Sequence, residues 1–436
     1  MKRFNLPILL LFFSFVCSNS LAQKRNSDSL NKNKNNVEFN DKGIQFKKGD
    51  NYLLIFRFRA QLRAGYFSRM DNDDQAGIEA SVRRMRLRFE GYLYSPKLEY
   101  KLQLGFANRD MDLESGSPQI IRDAVFYYKP NQNWSIGMGQ TKLPGNRERV
   151  NSSGELQMPD RSIANGKFTV DRDYGIFVDR NFEIRDQIIK LQTAVSTGEG
   201  RGLVLSDKGL AYSGRMEYMP FGSFKNKGDY FEGDLDFEEK PKLSFGLTYT
   251  KNFGARRTGG QLGKFMYSAY NKEESLRADI RTIMADAVFK YNGWAFLGEY
   301  YDRKVDKFSV SDFSTRPNDL ILFLKMPAGT AVNLQASKMI TKKDEFAFRF
   351  TEITPHKELL SYQYKLRTKA VGYSHYFNKH KFKLQGYIGM DDREGESEEL
   401  DDPFKKPIKC DDAGGNWDLT EHRTKMKEVL NLQMCS

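Results

Sequence analysis

Arginine occupies alternate positions in two neighbouring stretches of the chain, and this pattern most clearly predicts a chemical role. The residues are Arg57, Arg59 and Arg63 in the first stretch and Arg84, Arg86 and Arg88 in the second. A guanidinium group is always charged and can hold two oxygens of a phosphate or carboxylate in its planar fork. If the arginines of each stretch share one face, they form a surface that attracts anions.

The residues between the arginines indicate which element places them on one face. In residues 52–66 the even positions hold Tyr, Leu, Phe or Ala, whereas the odd positions from 57 to 63 hold Arg or Gln. Residues 82–94 and 97–106 alternate similarly, and the latter run adds Lys101 to the polar face. A period of two is typical of a β-strand, and a helix of period 3.6 would scatter these residues. We therefore predict three strands with a basic face.

Comparable but weaker runs continue along the chain and bring the count to about 16 strands of about 10 residues, the length that a tilted membrane strand needs. They cover residues 120–129, 132–141, 173–182, 187–197, 209–219, 242–251, 280–291, 294–302, 329–339, 345–353, 367–377, 381–390 and 424–435. Long connections mostly alternate with short turns, which predicts an all-β, antiparallel transmembrane barrel with both termini in the periplasm. Residues 220–241 break the rule, because they are long but fall on the short-turn side. A soluble β-sandwich would not require this alternation of connections.

The N-terminus predicts export. Lys2 and Arg3 precede a short apolar run and a small-residue site ending at Ala22, so residues 1–22 form a signal peptide; a lipoprotein signal ending at Cys17 is the alternative. Residues 23–50 are expected to be a polar, mobile periplasmic segment and residues 51–436 the barrel. The net charge of +12 would suit nucleic acid, anionic lipid or anionic solutes, and export argues against nucleic acid.

Catalysis finds little support in the sequence. The four histidines are His356, His375, His380 and His422. None accompanies a recognisable nucleophile motif of the kind that hydrolases need. The acidic stretch 391–402 lacks the fixed ligand spacing of a calcium loop. We therefore predict a protein that is not an enzyme and that needs no metal or cofactor.

Several segments resemble the phosphate-selective porin O/P family, in the branch common among Bacteroidota. They are residues 83–91 (RRMRLRFEG), 139–145 (GQTKLPG), 160–162 (DRS), 172–175 (RDYG) and 227–234 (KGDYFEGD). The resemblance implies a 16-stranded outer-membrane barrel, often a homotrimer, that passes anions such as phosphate. Two features depart from the pattern. The chain ends without an aromatic residue, and the stretch 391–423 is long and acidic, which does not suit an anion pore.

Two groups of residues are the candidate site. The apolar face must meet lipid, so the basic face lines the lumen; this first group is Arg57, Arg59, Arg63, Arg84, Arg86, Arg88 and Lys101. Its central part is expected to lack local acidic partners, because Glu90 and Glu99 lie nearer the periplasmic turn; pairing with acids on neighbouring strands is the alternative. The second group belongs to the third external loop, residues 142–172, and is Arg147, Arg149, Arg161, Lys167 and Arg172.

We expect that third loop to fold inward and narrow the pore, as in general porins. A solvated basic loop, or one that contacts lipopolysaccharide phosphates, is the alternative. The leading hypothesis is a diffusion porin for small, preferentially anionic solutes, surrounded by outer-membrane lipid. The second is a porin-fold structural or accessory subunit that binds other outer-membrane proteins and transports nothing. Cys410 and Cys435 are expected at opposite levels of the barrel, too far apart for a disulfide.

Overall fold

The structure is a computed structural model that describes residues 36–40, 43–69, 76–110, 119–202, 209–271, 273–306, 317–360, 362–394 and 423–435. The expected signal peptide, Cys410 and most of the acidic stretch lie outside these residues. Two short N-terminal strands, β1 (Asn36–Asn40) and β2 (Gly43–Lys48), precede sixteen longer ones. The longer strands are β3 (Tyr52–Arg69), β4 (Gly77–Leu93), β5 (Ser95–Gly105), β6 (Ile121–Tyr128), β7 (Trp134–Lys142), β8 (Arg172–Ile184), β9 (Gln187–Ser196), β10 (Ala211–Met219), β11 (Lys242–Ala255), β12 (Ala278–Tyr291), β13 (Trp294–Asp306), β14 (Gly329–Met339), β15 (Asp344–Pro355), β16 (Lys365–Asn378), β17 (Phe382–Glu394) and β18 (Arg423–Cys435).

These sixteen strands form a closed antiparallel barrel. Each pairs with the next along the chain, and β18 closes the ring by pairing with β3, with Leu432 opposite Leu62 and Cys435 opposite Arg59. The predicted class and strand count are therefore confirmed. Most connections at one end, the short-turn end, have only a few residues, and those at the other, the long-loop end, are longer.

The alternation of residue types separates the two faces of the wall. On β15, Phe346, Phe348 and Phe350 point outward and are exposed, whereas Arg349 and Thr351 point inward and are buried. Such an outward apolar surface and a polar interior are what a lipid-embedded barrel requires. Among the described residues, no helix is long and apolar enough to cross a membrane.

The strands β1 and β2 were not predicted from the sequence, which suggested only a polar lead-in. They form a hairpin, and β2 then pairs with the first part of β3, from Ile44 opposite Phe56 to Lys48 opposite Tyr52. Because β18 pairs with the later part of β3, β18 and β2 lie end to end along the same neighbour. The closing strand is thus built from both ends of the chain.

The core lies inside the barrel and is made largely by connections that fold inward. The third loop, residues 143–171 between β7 and β8, enters from the long-loop end and carries two short helices, α1 (Arg147–Val150) and α2 (Ile163–Phe168). The connection between β10 and β11, residues 220–241, enters from the short-turn end and is called the inner segment below. A third helix, α3 (Pro317–Leu324), lies in the connection between β13 and β14. The inward course of the third loop confirms the sequence prediction.

Candidate functional site

The arginine wall, defined as the seven basic residues predicted on β3, β4 and β5, is set by the pairing of β3 with β4. Arg57 lies opposite Arg88, and Arg59 lies opposite Arg86. Two like charges facing each other across neighbouring strands destabilise a sheet unless something compensates them. The register then shifts between Gln61 and Leu62, so that Arg63 faces Ser81 rather than an arginine. Arg59 therefore faces the second arginine stretch, whereas Arg63 does not.

Five members of the wall have carboxylate partners, which corrects the expectation of an unpaired positive surface. Arg57 and Arg88 both contact Glu90, with 2.7 Å between the Arg57 and Glu90 side chains. Lys101 lies 3.4 Å from Asp123 on β6. Arg63 and Arg84 both contact Asp160 of the third loop. The alternative of pairing with acids on neighbouring strands therefore describes Arg57 and Lys101, whereas Arg63 and Arg84 have a partner in the third loop.

Arg59 and Arg86 are different, because their side-chain partners are serines. Arg59 donates to the Ser153 hydroxyl at 2.7 Å and to the Ser152 hydroxyl at 3.4 Å, and Arg86 donates to the same Ser153 hydroxyl at 3.0 Å. Within the part of the chain that the structure describes, neither guanidinium has a carboxylate within 4.0 Å. The Nε atoms of both arginines are also buried without a hydrogen-bond partner there. Two facing cations with spare donors form a pair that an oxyanion can complete.

The neighbours of this pair extend the basic surface toward β6 and β8. The buried Nε atoms of Arg88 and Arg122 also lack a partner among the described residues, although both side chains contact acids, Glu90 and Asp110 respectively. Sequence analysis did not single out Arg122, Ser152 or Ser153. The only available signal was the position of the serines in the predicted constriction loop.

Most basic residues predicted to narrow the pore instead anchor the third loop. Arg147 is fully buried, and its guanidinium lies 3.0 Å from Glu217 and 3.1 Å from Asp286 on the far side of the barrel. The expectation that Arg147 lines the constriction is therefore wrong: an ion pair this deeply enclosed holds the loop to the wall. Lys167 is exposed to solvent at the end of α2.

The remaining three loop cations surround Asp171 or the loop backbone. Arg149 contacts Asp171, and Arg172 lies 3.4 Å from Asp171 and 3.0 Å from Asp123. Arg161 donates to the carbonyl oxygens of Glu148 and Asn151. These contacts fix the loop backbone beside the arginine wall, which places Ser152 and Ser153 against Arg59 and Arg86.

Burial and charge change the acidity of the loop groups. Burial and the nearby Arg149 lower the pKa of Arg161 to about 10. Burial would raise the pKa of Asp171, but the opposing effects of Arg149 and Arg172 are larger together and hold that pKa well below its usual range. Burial raises the pKa of the Glu155 carboxyl even though Lys142 and Arg59 lower it. The loop thus presents a strongly positive environment near its centre.

The other face of the third loop is packed against the lumen wall. Leu143, Phe168 and Val170 form one buried apolar cluster with wall residues that include Met284 and Tyr301. Polar groups are matched as well. Asn146 donates to Tyr301 at 2.8 Å and to Glu299 at 3.1 Å, and Gln157 donates to Ser337 and Glu345. The loop therefore fills the side of the lumen formed by β11–β17 and leaves its serines facing the arginine wall.

Comparison with known proteins gives one family and two informative structures. A family model described as phosphate-selective porin O and P matches residues 56–307. An anion-selective porin from Comamonas acidovorans is 12% identical, covers 87% of this chain and 99% of its own, and has a TM-score of 0.51. The outer-membrane channel DcaP of Acinetobacter baumannii is also 12% identical, with 88% and 97% coverage and a TM-score of 0.51. No match was found among curated proteins. At such identity, the two structures establish the barrel fold alone.

Proposed function

This chain belongs to the phosphate-selective porin O and P family, and from that premise we propose that it forms an open outer-membrane channel that prefers small oxyanions. Membership in the family makes it an outer-membrane porin. The preference for anions, and for phosphate-like anions among them, is the proposal. It rests on one observation, the Arg59–Arg86 pair that meets serine hydroxyls instead of carboxylates.

The chemistry of the pair suits an oxyanion better than a halide. Arg59 and Arg86 offer donors from two strands to one point of the passage, and their free Nε atoms add further donors. A tetrahedral oxyanion has several acceptor atoms that can use these donors at once, whereas chloride is a single centre. The hydroxyls of Ser152 and Ser153 can rotate and become donors to the same ligand. Fixed positive charge in a narrow passage also offsets the loss of water from the anion.

The barrel's connections support an orientation. Porins of this type place short turns in the periplasm and longer loops outside. We infer that the short-turn end faces the periplasm, that both termini lie there, and that residues 1–22 are removed on export. Assembly as a homotrimer and contact of the long loops with lipopolysaccharide remain proposals from the family resemblance.

The selectivity of single channels in a lipid bilayer tests the proposal. In a KCl gradient, wild-type channels are expected to show a reversal potential on the anion-selective side. The double variant R59Q/R86Q is expected to reduce the chloride-to-potassium permeability ratio several-fold, because it removes the two charges without carboxylate partners. Inorganic phosphate, added as the probe, is expected to block chloride current in wild type and to block it less in the variant.

A matched control changes the same charge outside the lumen. Arg180 and Arg281 lie on the outward faces of β8 and β12, so R180Q/R281Q should leave the reversal potential unchanged. Equal reversal potentials for wild type and R59Q/R86Q would show that Arg59 and Arg86 do not determine the ion selectivity. A folded barrel that never conducts would favour the alternative function, an accessory subunit without transport.

A further inference from the structure

The inner segment does not project from the short-turn end, as a long polar connection would be expected to do. Its residues 225–230 form 3-10 turns interrupted by a kink at Asn226 and Lys227, whose φ angles are +50° and +60°, and the segment then enters the barrel. Four of its carboxylates are buried: Asp229, Glu232, Asp234 and Glu238, at 3%, 5%, 1% and 2% exposure. Buried carboxylates need matched partners, so the inner segment is a built element of the lumen.

Two turns of the short-turn end anchor the base of the inner segment. The backbone N–H of Gly293, in the turn between β12 and β13, donates to Asp234 at 2.7 Å, and Asn292 donates to the Glu238 carbonyl at 2.8 Å. Lys379, in the turn between β16 and β17, pairs with Asp236. These contacts tie the inner segment to the β12–β13 and β16–β17 turns of the short-turn end.

Apolar packing fills the space between the anchors and the wall. Leu235 forms a buried cluster with Met339 and Tyr376, against which Phe231 and Phe237 pack. Lys290 extends from β12 and donates to the Phe231 carbonyl at 2.8 Å. Gly233 has a φ of +76°, and a Cβ there would lie 2.7 Å from a Glu345 oxygen, so the tight turn at the apex requires glycine.

The apex of the inner segment meets the third loop in the middle of the barrel. Glu232 donates its backbone N–H to the Glu155 carbonyl at 2.9 Å, and its carboxylate accepts from the Gln157 N–H at 2.8 Å. Gln335 on β14 donates to the same carboxylate at 3.0 Å. Glu232 therefore links the inner segment and the wall to the third loop at Glu155 and Gln157, which follow Ser152 and Ser153 in the loop by two to five residues.

We propose that the inner segment is the floor of the lumen: it closes the β11–β17 side from the periplasmic end and holds the third loop in place through Glu232. Solutes are thereby confined to the passage beside Arg59 and Arg86. Glu232 is a positioning residue, since it contacts the loop and not the passage. The inference rests on the proposed function only in treating the lumen as the route of conduction.

Two variants with one control test the floor. Glu232→Ala removes the acceptor for Gln157 and Gln335, and is expected to give channels with frequent steps to higher conductance as the third loop moves. Replacing residues 225–238 by a short Gly-Ser linker is expected to raise conductance by roughly twofold or more, because conductance grows with the open cross-section. Glu239→Ala changes an exposed carboxylate of the same segment, at 86% side-chain exposure, and should behave as wild type.

Neutral polyethylene glycols of graded size supply a second measurement. The polymers are added on the periplasmic side. The largest polymer that still reduces the current is expected to be larger for the linker variant than for wild type, because the widened entrance admits it. Folding of each variant is checked by its heat-modifiable mobility on gels. If the linker variant does not fold, Glu232→Ala and the milder Glu232→Gln still report on the contact between Glu232 and the third loop.

The outcomes separate this inference from the proposed function. The floor proposal would be overturned if the folded Glu232→Ala and linker variants kept the conductance, current noise and polymer cut-off of wild type. This holds whatever the ion selectivity of the channel. A wild-type channel without anion preference would overturn the proposed anion selectivity at Arg59 and Arg86. Increased conductance of the Glu232→Ala and linker variants would still support the floor proposal. A silent wild type with a conducting linker variant would support the floor and contradict the open channel.

Discussion

At the residue scale, the charge of the arginine wall is unevenly compensated. The row of Arg57 and Arg88 shares Glu90, whereas the adjacent row of Arg59 and Arg86 shares the Ser153 hydroxyl. The two rows have the same sequence pattern and the same cross-strand geometry. The difference is that Glu90, on β4 itself, compensates the first row, whereas the third loop brings serine hydroxyls to the second. This row of the lumen wall therefore keeps a surplus of positive charge.

Cys435 is a native reporter for that surplus charge. It pairs with Arg59 across strands and is a free thiol, and it shares a face of β18 with the buried, inward-facing Asn431 and Gln433. In a Cys410→Ser background, an anionic methanethiosulfonate is expected to modify Cys435 several-fold faster than a cationic one, because the local field concentrates anions. Mass spectrometry of timed samples measures both rates.

The control for the thiol measurement is the charge-deleted channel. In R59Q/R86Q, the preference for the anionic reagent should largely disappear, while R180Q/R281Q should keep it. Equal rates of Cys435 modification by the anionic and cationic reagents, with Arg59 and Arg86 unchanged, would contradict a positive local field beside Arg59. The absence of a Cys410–Cys435 disulfide stays a prediction, because Cys410 lies outside the described residues.

At the element scale, the third loop is ordered by tertiary contacts. Its helices α1 and α2 have four and six residues, too short to be stable alone in water. Leu143, Phe168 and Val170 give the loop an apolar side that is buried only if it folds inward. Arg147 then completes a buried network with Glu217 and Asp286. Inward folding thus follows from the loop's composition.

Asp171 makes the anchoring of this loop sensitive to acid. Its pKa is held well below the usual range, since Arg149 and Arg172 outweigh the effect of burial. A carboxyl with a lowered folded-state pKa stabilises above its ordinary pKa, and this stabilisation is lost as pH falls through the folded-state value. Asp171→Asn should therefore lower stability by about 3 kcal/mol at neutral pH, as for a broken buried ion pair.

The midpoint of heat-modifiable unfolding, measured against pH, checks the sign. The difference between wild type and Asp171→Asn should be constant from about pH 8 to pH 5 and should shrink below about pH 4, where unfolded Asp protonates. A difference that instead grew on acidification would contradict the assignment. Glu239→Asn, at an exposed position, is the control and should show little difference at any pH.

At the scale of the whole molecule, the barrel is closed by both ends of the chain. β18 pairs with β3 from Lys425 opposite Arg69 to Cys435 opposite Arg59, and β2 continues along β3 from Ile44 opposite Phe56. The chain's last strand thus ends short of the first residues of β3, and the N-terminal hairpin supplies their partners. This gives the residues after the expected cleavage site a structural role.

Truncation of the N-terminus tests that role. Mature protein lacking residues 23–48 is expected to unfold several degrees lower than one lacking only residues 23–34, because it loses the β2–β3 ladder and leaves the start of β3 with an unpaired edge. The comparison uses heat-modifiable mobility in the same detergent. Equal unfolding temperatures for the two truncations would show that β18 alone closes the barrel.

The sequence by itself determined the strands and their faces. The period-two pattern located all sixteen barrel strands, including residues 329–339, where β14 has the same bounds. It also placed the arginine wall on β3, β4 and β5. These features depend on residues close together in the chain, and strand periodicity is a local property. The inward course of the third loop came from the family resemblance.

Tertiary structure alone decided which charges are compensated. The register shift after Gln61 moved Arg63 away from the facing arginines. Asp160 reached Arg63 and Arg84 although it lies 97 and 76 residues further along the chain. Tertiary structure also decided that Arg147 is an anchor and that Glu232 joins the inner segment to the third loop. Such partners meet only when the barrel closes and both connections enter it, so no local pattern encodes them.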